Sequence, residues 1–250
     1  MKKILILLLV LLTFAGCSTN NVVDNDDCDN NQGCDISPTG GDVIETISFK
    51  ESYESLNGKE TSSGKTYREI SINDENIFNI IDLKQFENFS SKDFDYTGIL
   101  LISDPKCPWC RSVLPTAIEV AKEQSIDKID VIHAWDAEGN EIFRDKYVEV
   151  KDGNYELQVG HPLYNYLINC QGSELLSDYT VKKSDGSSFE TGEKRIYLPS
   201  FLYVKNGDIV AFTTGISELQ SGGYDELSVE IIEDMRTKLL DFFNLVKENS

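Results

Sequence analysis

The residues with the clearest chemical potential are two cysteines separated by two residues, in the sequence Cys107-Pro108-Trp109-Cys110. On a helix this spacing places both sulfur atoms on the same side of one turn, close enough to form a disulfide. Where such a pair begins a helix, the N–H groups of the first turn and the helix dipole stabilise a thiolate, which is the reactive form of cysteine. The flanking cations Lys106 and Arg111 are expected to favour the thiolate further. The pattern therefore predicts a dithiol that exchanges disulfides.

The segments on either side of the dithiol have the patterns that this chemistry needs. Residues 97–103 form a continuous apolar run, which is typical of a strand buried on both faces. Residues 108–124 carry apolar side chains at intervals of three and four, which predicts an amphipathic helix. Pro108 suits the first turn of that helix, because its missing N–H would have no partner there. The cysteines are therefore expected at a junction between strand and helix.

The rest of the chain predicts further strands and helices. Asn206-Gly207 between two apolar runs predicts a hairpin, and the order of elements predicts an α/β fold with a mixed sheet flanked by helices. Residues 137–196 are polar and glycine-rich, with a helical patch at 163–168. The other predicted elements are strands at 67–72, 76–81, 128–135, 196–204 and 209–213, a short helix begun by Asp82 with Gln85 and continuing through Phe86 and Phe89, and a long amphipathic helix over 225–247.

Four features together resemble the thioredoxin superfamily. They are the Cys-Pro-Trp-Cys sequence at a helix start, Pro115 five residues beyond Cys110, the Leu198-Pro199 step before an apolar strand, and the hairpin that follows. The resemblance covers about residues 67–136 and 196–247. It implies a cis peptide bond at Pro199 that turns the backbone of Leu198 toward the sulfurs, where a substrate strand can pair with it.

The resemblance also assigns roles to the site residues. It implies that Cys107 is the exposed attacking nucleophile and that Cys110 is the buried resolving thiol. Trp109, between them, is expected to be partly exposed and to offer a substrate an apolar contact. Together with Leu198 and Pro199 it forms the predicted substrate-binding set.

Three departures from the family pattern are informative. Leu101 stands where the family has a buried acid, so the nearest carboxylate is that of Asp104. The dipeptide between the cysteines is Pro-Trp, which tunes the reduction potential in a direction that sequence does not reveal. Residues 137–196 greatly exceed the dozen or so residues that a crossover needs. We interpret them as an insertion that covers or extends the substrate groove.

The N-terminus has the pattern of a targeting segment. Met1-Lys2-Lys3 is followed by an apolar run over 4–14, which is too short for a durable membrane span but fits a signal peptide. The following Ala15-Gly16-Cys17 resembles the lipobox of bacterial lipoproteins. This predicts a signal peptide at 1–16, lipidation of Cys17, an acidic disordered tether at 17–43 and a thioredoxin-like domain at 44–250. The protein is then expected on the outer face of the bacterial cell membrane.

Composition excludes some partners. The chain has 23 basic and 43 acidic residues and a formal net charge of −20, which argues against nucleic-acid binding. No metal is expected, because Cys28 and Cys34 are too far apart in sequence to form the second half of a zinc site. Those two cysteines form a disulfide with each other or have no role. Cys170 is interpreted as a buried small hydrophobe, and His133 and His161 as structural residues.

The predicted function is that of a thiol–disulfide oxidoreductase. It needs no cofactor, because the two sulfurs carry the electrons, and its partners would be cysteine-containing proteins outside the cytoplasm together with a membrane electron carrier. The direction, reductase or oxidase, stays open. The alternative is a redox-silent accessory lipoprotein of a peptide exporter of the bacteriocin type, whose function would lie in the insertion.

Overall fold

A computed structural model describes residues 48–86, 94–136, 138–150 and 153–250. The predicted signal peptide, Cys17, the whole predicted tether with Cys28 and Cys34, and Phe89 lie outside the described residues, and the predictions about them stay predictions. Within the described ranges, no helix is long and apolar enough to cross a membrane.

The fold is α/β, built on a five-stranded mixed sheet. Its strands, in order across the sheet, are β1 (Phe78–Ile80), β3 (Ile129–His133), β2 (Gly98–Ser103), β8 (Ser200–Lys205) and β9 (Asp208–Thr213). The first three strands run parallel to one another, whereas β8 and β9 are antiparallel to their neighbours. In the central strand, Leu101 pairs with Val131 on one side and with Phe201 on the other.

Both faces of this sheet are covered, as the apolar run of β2 predicts. Ile99 and Leu101 belong to a hydrophobic cluster shared with α2 (Pro108–Glu123) and α4 (Val229–Asn249). Leu100 and Ile102 belong to a second cluster on the opposite face. Because successive side chains of a strand point to opposite faces, an unbroken apolar strand requires two apolar layers. The second layer includes residues from the stretch 138–196.

That stretch contains more regular structure than its polar sequence predicts. It forms two antiparallel pairs, β4 (Lys146–Glu149) with β5 (Tyr155–Gln158) and β6 (Ser177–Lys182) with β7 (Ser188–Arg195). Between the pairs lies α3 (Pro162–Leu167), which confirms the predicted helical patch. The strands escaped prediction because each pairs with only one neighbour and carries mostly half-exposed side chains, so apolar alternation is weak.

The predicted strand at 67–72 is wrong. This segment forms no strand, and at Ile70 and Ile72 side chains take the hydrogen bonds that a neighbouring strand would make. The Asn57 amide donates to the carbonyl of Ile70 and accepts from its N–H at 2.7 and 3.0 Å, and Ile72 N–H donates to Glu54 at 2.7 Å. Glu54 ends a short helix that sequence analysis missed, α1 (Phe49–Glu54), which a capping box of Ser48 and Glu51 begins.

Other boundaries moved for local reasons. The predicted helix over 108–124 is confirmed, and the final helix begins at Val229 because the Ser228 side chain caps it. The strand predicted from 196 begins only at Ser200, since Pro199 has no N–H to donate to a ladder. The Asn206-Gly207 hairpin is confirmed, with φ values of 51° and 85° that suit a two-residue turn. Asp82 caps a 3₁₀ turn, Leu83–Phe86, where an α-helix was expected.

Candidate active site

The two cysteines lie where the sequence places them, at the first turn of α2. Cys107 is the N-cap residue, and its Sγ accepts a hydrogen bond from Cys110 N–H at 3.4 Å. Both thiols are free in the structure. Burial raises the pKa of the Cys110 thiol well above its usual value, and its hydrogen bond to Cys107 acts in the same direction. The pair therefore combines a sulfur at a helix N-terminus with one held protonated.

Residues distant in sequence complete the site. The Leu198–Pro199 peptide bond is cis, as predicted, and the carbonyl oxygen of Leu198 lies 3.9 Å from Cys107 Sγ. Leu198 and Pro199 are both buried. The segment that precedes β8 therefore lies directly beside the first sulfur.

The predicted exposure of the site is wrong. Cys107 is only 2% exposed and Trp109 only 8%. The loop between β9 and α4 packs against the first turn of α2, where Gly223 lies so close that an added Cβ would fall 2.8 Å from Pro108. Ser112 ties this loop down: its hydroxyl donates to the carbonyl of Gly223 and accepts from the Gln220 amide, each at 3.0 Å. Sequence could not reveal this, because the loop is more than a hundred residues away.

A buried carboxyl group lies between the sheet and the dithiol. Asp104 is 4% exposed and follows β2 directly, and its Oδ1 accepts from Lys106 N–H at 2.8 Å. Burial raises the pKa of Asp104 to about 7, against the opposing effect of that hydrogen bond. A hydrogen bond from the Asp104 backbone lowers the pKa of the Cys110 thiol, whereas the charge of the Asp104 carboxylate raises it. The acid missing at Leu101 thus has a counterpart three residues later in the chain.

Arg111 has a different role from the one expected. Its guanidinium is buried and donates to the carbonyls of Arg68, Tyr53 and Pro105 and to the side chain of Asn57, at 2.6 to 3.1 Å. These bonds fasten the segment after α1 to the base of α2. Its charge lies close enough to Cys110 to interact with it, but burial dominates and lowers the pKa of Arg111.

Sequence analysis missed Tyr53, which α1 places beneath the dithiol. Its hydroxyl hydrogen-bonds to Ser103 at the end of β2, and burial raises its pKa well above the usual value, with Cys110 and Asp104 contributing. The capping box of Ser48 and Glu51 was the available signal, because it marks the start of the helix that carries Tyr53.

The remaining candidates have structural roles. His133 stacks on Phe49, and burial lowers its pKa to about 4, so it is neutral at physiological pH. His161 caps α3 by accepting from Leu163 N–H at 3.1 Å. Cys170 is half-buried, more exposed than expected, and donates to the carbonyl of Leu167. Within the described ranges no group of three or more acidic, histidine or cysteine side chains could hold a metal ion.

Comparison with known proteins adds no identification. No protein-family model matches the chain, and neither a curated protein nor a solved structure matches it significantly. The chemistry of the site must therefore be argued from its own geometry.

Proposed function

We propose that this protein is a thiol–disulfide oxidoreductase with a thioredoxin-like fold, anchored through a lipid on Cys17 outside the bacterial cell membrane. One observation carries the proposal: a free cysteine pair begins α2, and the Leu198 carbonyl lies 3.9 Å from the first sulfur. The parallel and antiparallel strands of the sheet and the cis bond at Pro199 support the thioredoxin-like interpretation. The substrates would be cysteine-containing secreted or surface proteins.

The reaction follows from the different surroundings of the two sulfurs. The Cys107 thiolate attacks one sulfur of a substrate disulfide, so that a mixed disulfide forms and one substrate thiolate leaves. Cys110 then loses its proton and attacks Cys107 Sγ, which releases the second substrate thiolate and closes the Cys107–Cys110 disulfide. Two electrons pass from the dithiol to the substrate, and each released thiolate takes up a proton. A membrane-bound dithiol carrier would restore the reduced form; the reverse sequence would oxidise a substrate.

Asp104 is the group suited to receive the Cys110 proton. A buried thiol whose pKa is raised does not become a nucleophile at neutral pH without a base. The Asp104 carboxyl, with a pKa of about 7, exchanges protons in the range where the reaction must run. Lys106 N–H orients that carboxyl through its bond to Oδ1.

A trapping experiment tests the proposal. A Cys110→Ala variant cannot resolve the mixed disulfide, so cells that express it should accumulate covalent partners of the protein, visible on non-reducing gels and released by dithiothreitol. The control is the Cys107→Ser/Cys110→Ala double variant, which should trap nothing. A Cys170→Ala/Cys110→Ala variant should trap as well as Cys110→Ala alone. Equal trapping with and without Cys107 would contradict the proposal.

A second candidate function is favoured by the burial of Cys107 and Trp109. A scaffold whose dithiol never meets a substrate would serve as a redox-silent accessory lipoprotein for a peptide exporter. Full activity of a Cys107→Ser/Cys110→Ser variant in cells would support this candidate. For the oxidoreductase, by contrast, Cys107 must become accessible to a substrate before each reaction.

A further inference from the structure

Two arginines of the insertion are buried close to the candidate active site. Arg144 is 4% exposed and Arg195 is 2% exposed. Arg144 forms a forked ion pair with Glu141, with Nε to Oε1 at 3.1 Å and Nη2 to Oε2 at 2.7 Å, and its guanidinium lies 4.9 Å from the ring of Trp135. Burial of such charges is costly unless each is paired or hydrogen-bonded, so these contacts hold the side chains in one place.

The same two side chains connect residues 144–145 with residues 195–196 through two hydrogen bonds, one donated from each segment. Arg144 Nη1 donates to the carbonyl of Ile196 at 3.4 Å, and Arg195 Nη1 donates to the carbonyl of Asp145 at 2.6 Å. Arg195 is also held by aromatic rings, lying 4.1 Å from the ring of Tyr179 and 5.7 Å from that of Tyr197. We call Arg144 and Arg195 the arginine clasp, because they fasten residues 144–145 to residues 195–196.

The clasp ends two residues before the backbone group that lies beside Cys107. Ile196, which accepts from Arg144, is separated by Tyr197 alone from Leu198, whose carbonyl lies 3.9 Å from Cys107 Sγ. Two residues of chain leave little room for independent movement. The position of the Leu198 carbonyl therefore depends on where the clasp holds Ile196.

We propose that Arg144 and Arg195 are positioning residues for peptide substrates: they fix the backbone of Leu198 where the extended chain flanking a substrate disulfide hydrogen-bonds to it. This inference rests on the proposed oxidoreductase function and gives the insertion a role in it. Recognition through backbone hydrogen bonds is sensitive to small displacements. A small disulfide that has no peptide chain does not use those bonds, so its reaction with Cys107 does not need the clasp.

The test compares a peptide disulfide with a small one. Reduction of insulin, driven by dithiothreitol, gives kcat and KM, and 5,5′-dithiobis(2-nitrobenzoate) gives the rate of the bare dithiol. Arg195→Met and the charge-neutral double variant Glu141→Gln/Arg144→Met should raise KM for insulin about tenfold with little change in kcat. Their kcat/KM for insulin, divided by the rate with the small disulfide, should fall by the same factor. Arg195→Lys keeps the charge and one donor and should give an intermediate KM.

The matched control is Val181→Ala, which loosens the insertion at a buried position of β6. It should leave KM for insulin unchanged, whereas a merely structural role of the clasp predicts the same increase for all variants. Thermal unfolding would confirm that each variant is folded at the assay temperature. If Arg195→Met is unfolded, Arg195→Lys replaces it in the comparison. An unchanged KM, or equal losses with both disulfides, would overturn the inference alone. A wild-type protein inert toward both disulfides would overturn the proposed function and the inference together.

Discussion

The candidate active site and the insertion bury charged groups in opposite ways. Asp104, beside the dithiol, forms no ion pair within the described part of the chain, and burial raises its pKa to about 7 although Lys106 and Arg144 act to lower it. Glu141, in the insertion, forms a forked ion pair with Arg144, and although burial opposes it, that carboxylate raises the pKa of Arg144 above its usual value. One region thus holds a carboxyl group that gains and loses its proton near neutral pH. The other holds an arginine, Arg144, whose positive charge persists at every physiological pH.

This difference matches what each region has to do. Proton transfer needs a group whose two protonation states are close in free energy, which burial without a cation provides. Positioning needs a group that does not change state, which a buried arginine with a carboxylate partner provides. The sheet positions the carboxyl group for proton transfer, because Asp104 directly follows β2 and lies in the turn that leads to the cysteines. The insertion supplies the positioning groups through Arg144, which precedes β4, and Arg195, which ends β7.

The largest expected effect is on Asp104. Its pKa is about 7 in the folded protein against 3.8 for an aspartate free in water, so between these pH values the folded state holds a proton that the unfolded state has lost. Wild-type stability therefore falls as pH rises through this window, by about 4 kcal/mol in all. Asp104→Asn cannot ionise and should be more stable than wild type by that amount at pH 8, and about equal to it at pH 4. Urea denaturation at both pH values measures this.

The functional cost of the same variant sharpens the comparison. Without a base, Asp104→Asn should resolve mixed disulfides slowly, whereas the first attack by Cys107 should be unaffected. An Asp104→Asn protein with unchanged stability at pH 8 would show that this carboxyl is paired or solvated, and the contrast with Glu141 would not hold.

Glu141→Gln should change the free energy of unfolding in the opposite direction to Asp104→Asn and by a slightly smaller amount. It leaves the Arg144 guanidinium buried without its partner charge, which should lower the free energy of unfolding by about 3 kcal/mol. The matched control is Glu123→Gln, which breaks the more exposed ion pair with Arg236 and should cost less than about 1 kcal/mol. Equal losses in thermal or urea unfolding would mean that the buried pair contributes no more than the surface pair.

The smallest effect on stability is expected at Gly160, which lies against the backbone of Phe143 and Arg144. A Cβ there would lie 2.4 Å from the carbonyl oxygen of Phe143 and 2.5 Å from the carbonyl carbon of Arg144, both backbone atoms. Gly160→Ala should therefore cost about 2 kcal/mol by displacing that backbone. Gly222→Ala meets only the end of the Asp225 side chain and should be nearly neutral. Hydrogen exchange should localise the Gly160→Ala effect to residues 143–160; a uniform effect on the whole sheet would contradict it.

Prediction from sequence succeeded where the signal is local. The apolar run of β2, the periodicity of α2 and the Asn206-Gly207 turn each specify their own element, and the structure has all three. Prediction failed where contacts with residues distant in the sequence determine the local structure or its exposure. Residues 67–72 alternate as a strand does, yet Asn57 and Glu54 take their hydrogen bonds. Trp109 has the sequence context of an exposed residue, yet Gly223 packs beside it.

The amino-acid sequence alone determined the cysteine pair, its place at a helix start and the buried strand before it, because spacing and periodicity act over a few residues. Only the tertiary structure decided that Asp104 is buried and that Arg144 and Arg195 join residues 144–145 to residues 195–196; it also brings Leu198 beside Cys107, which only the family resemblance had implied. These outcomes depend on burial and on contacts between residues some 50 to 90 positions apart. Burial sets the charge state of a carboxyl group, and long-range packing sets which backbone group a sulfur meets, so neither can be derived from a local pattern.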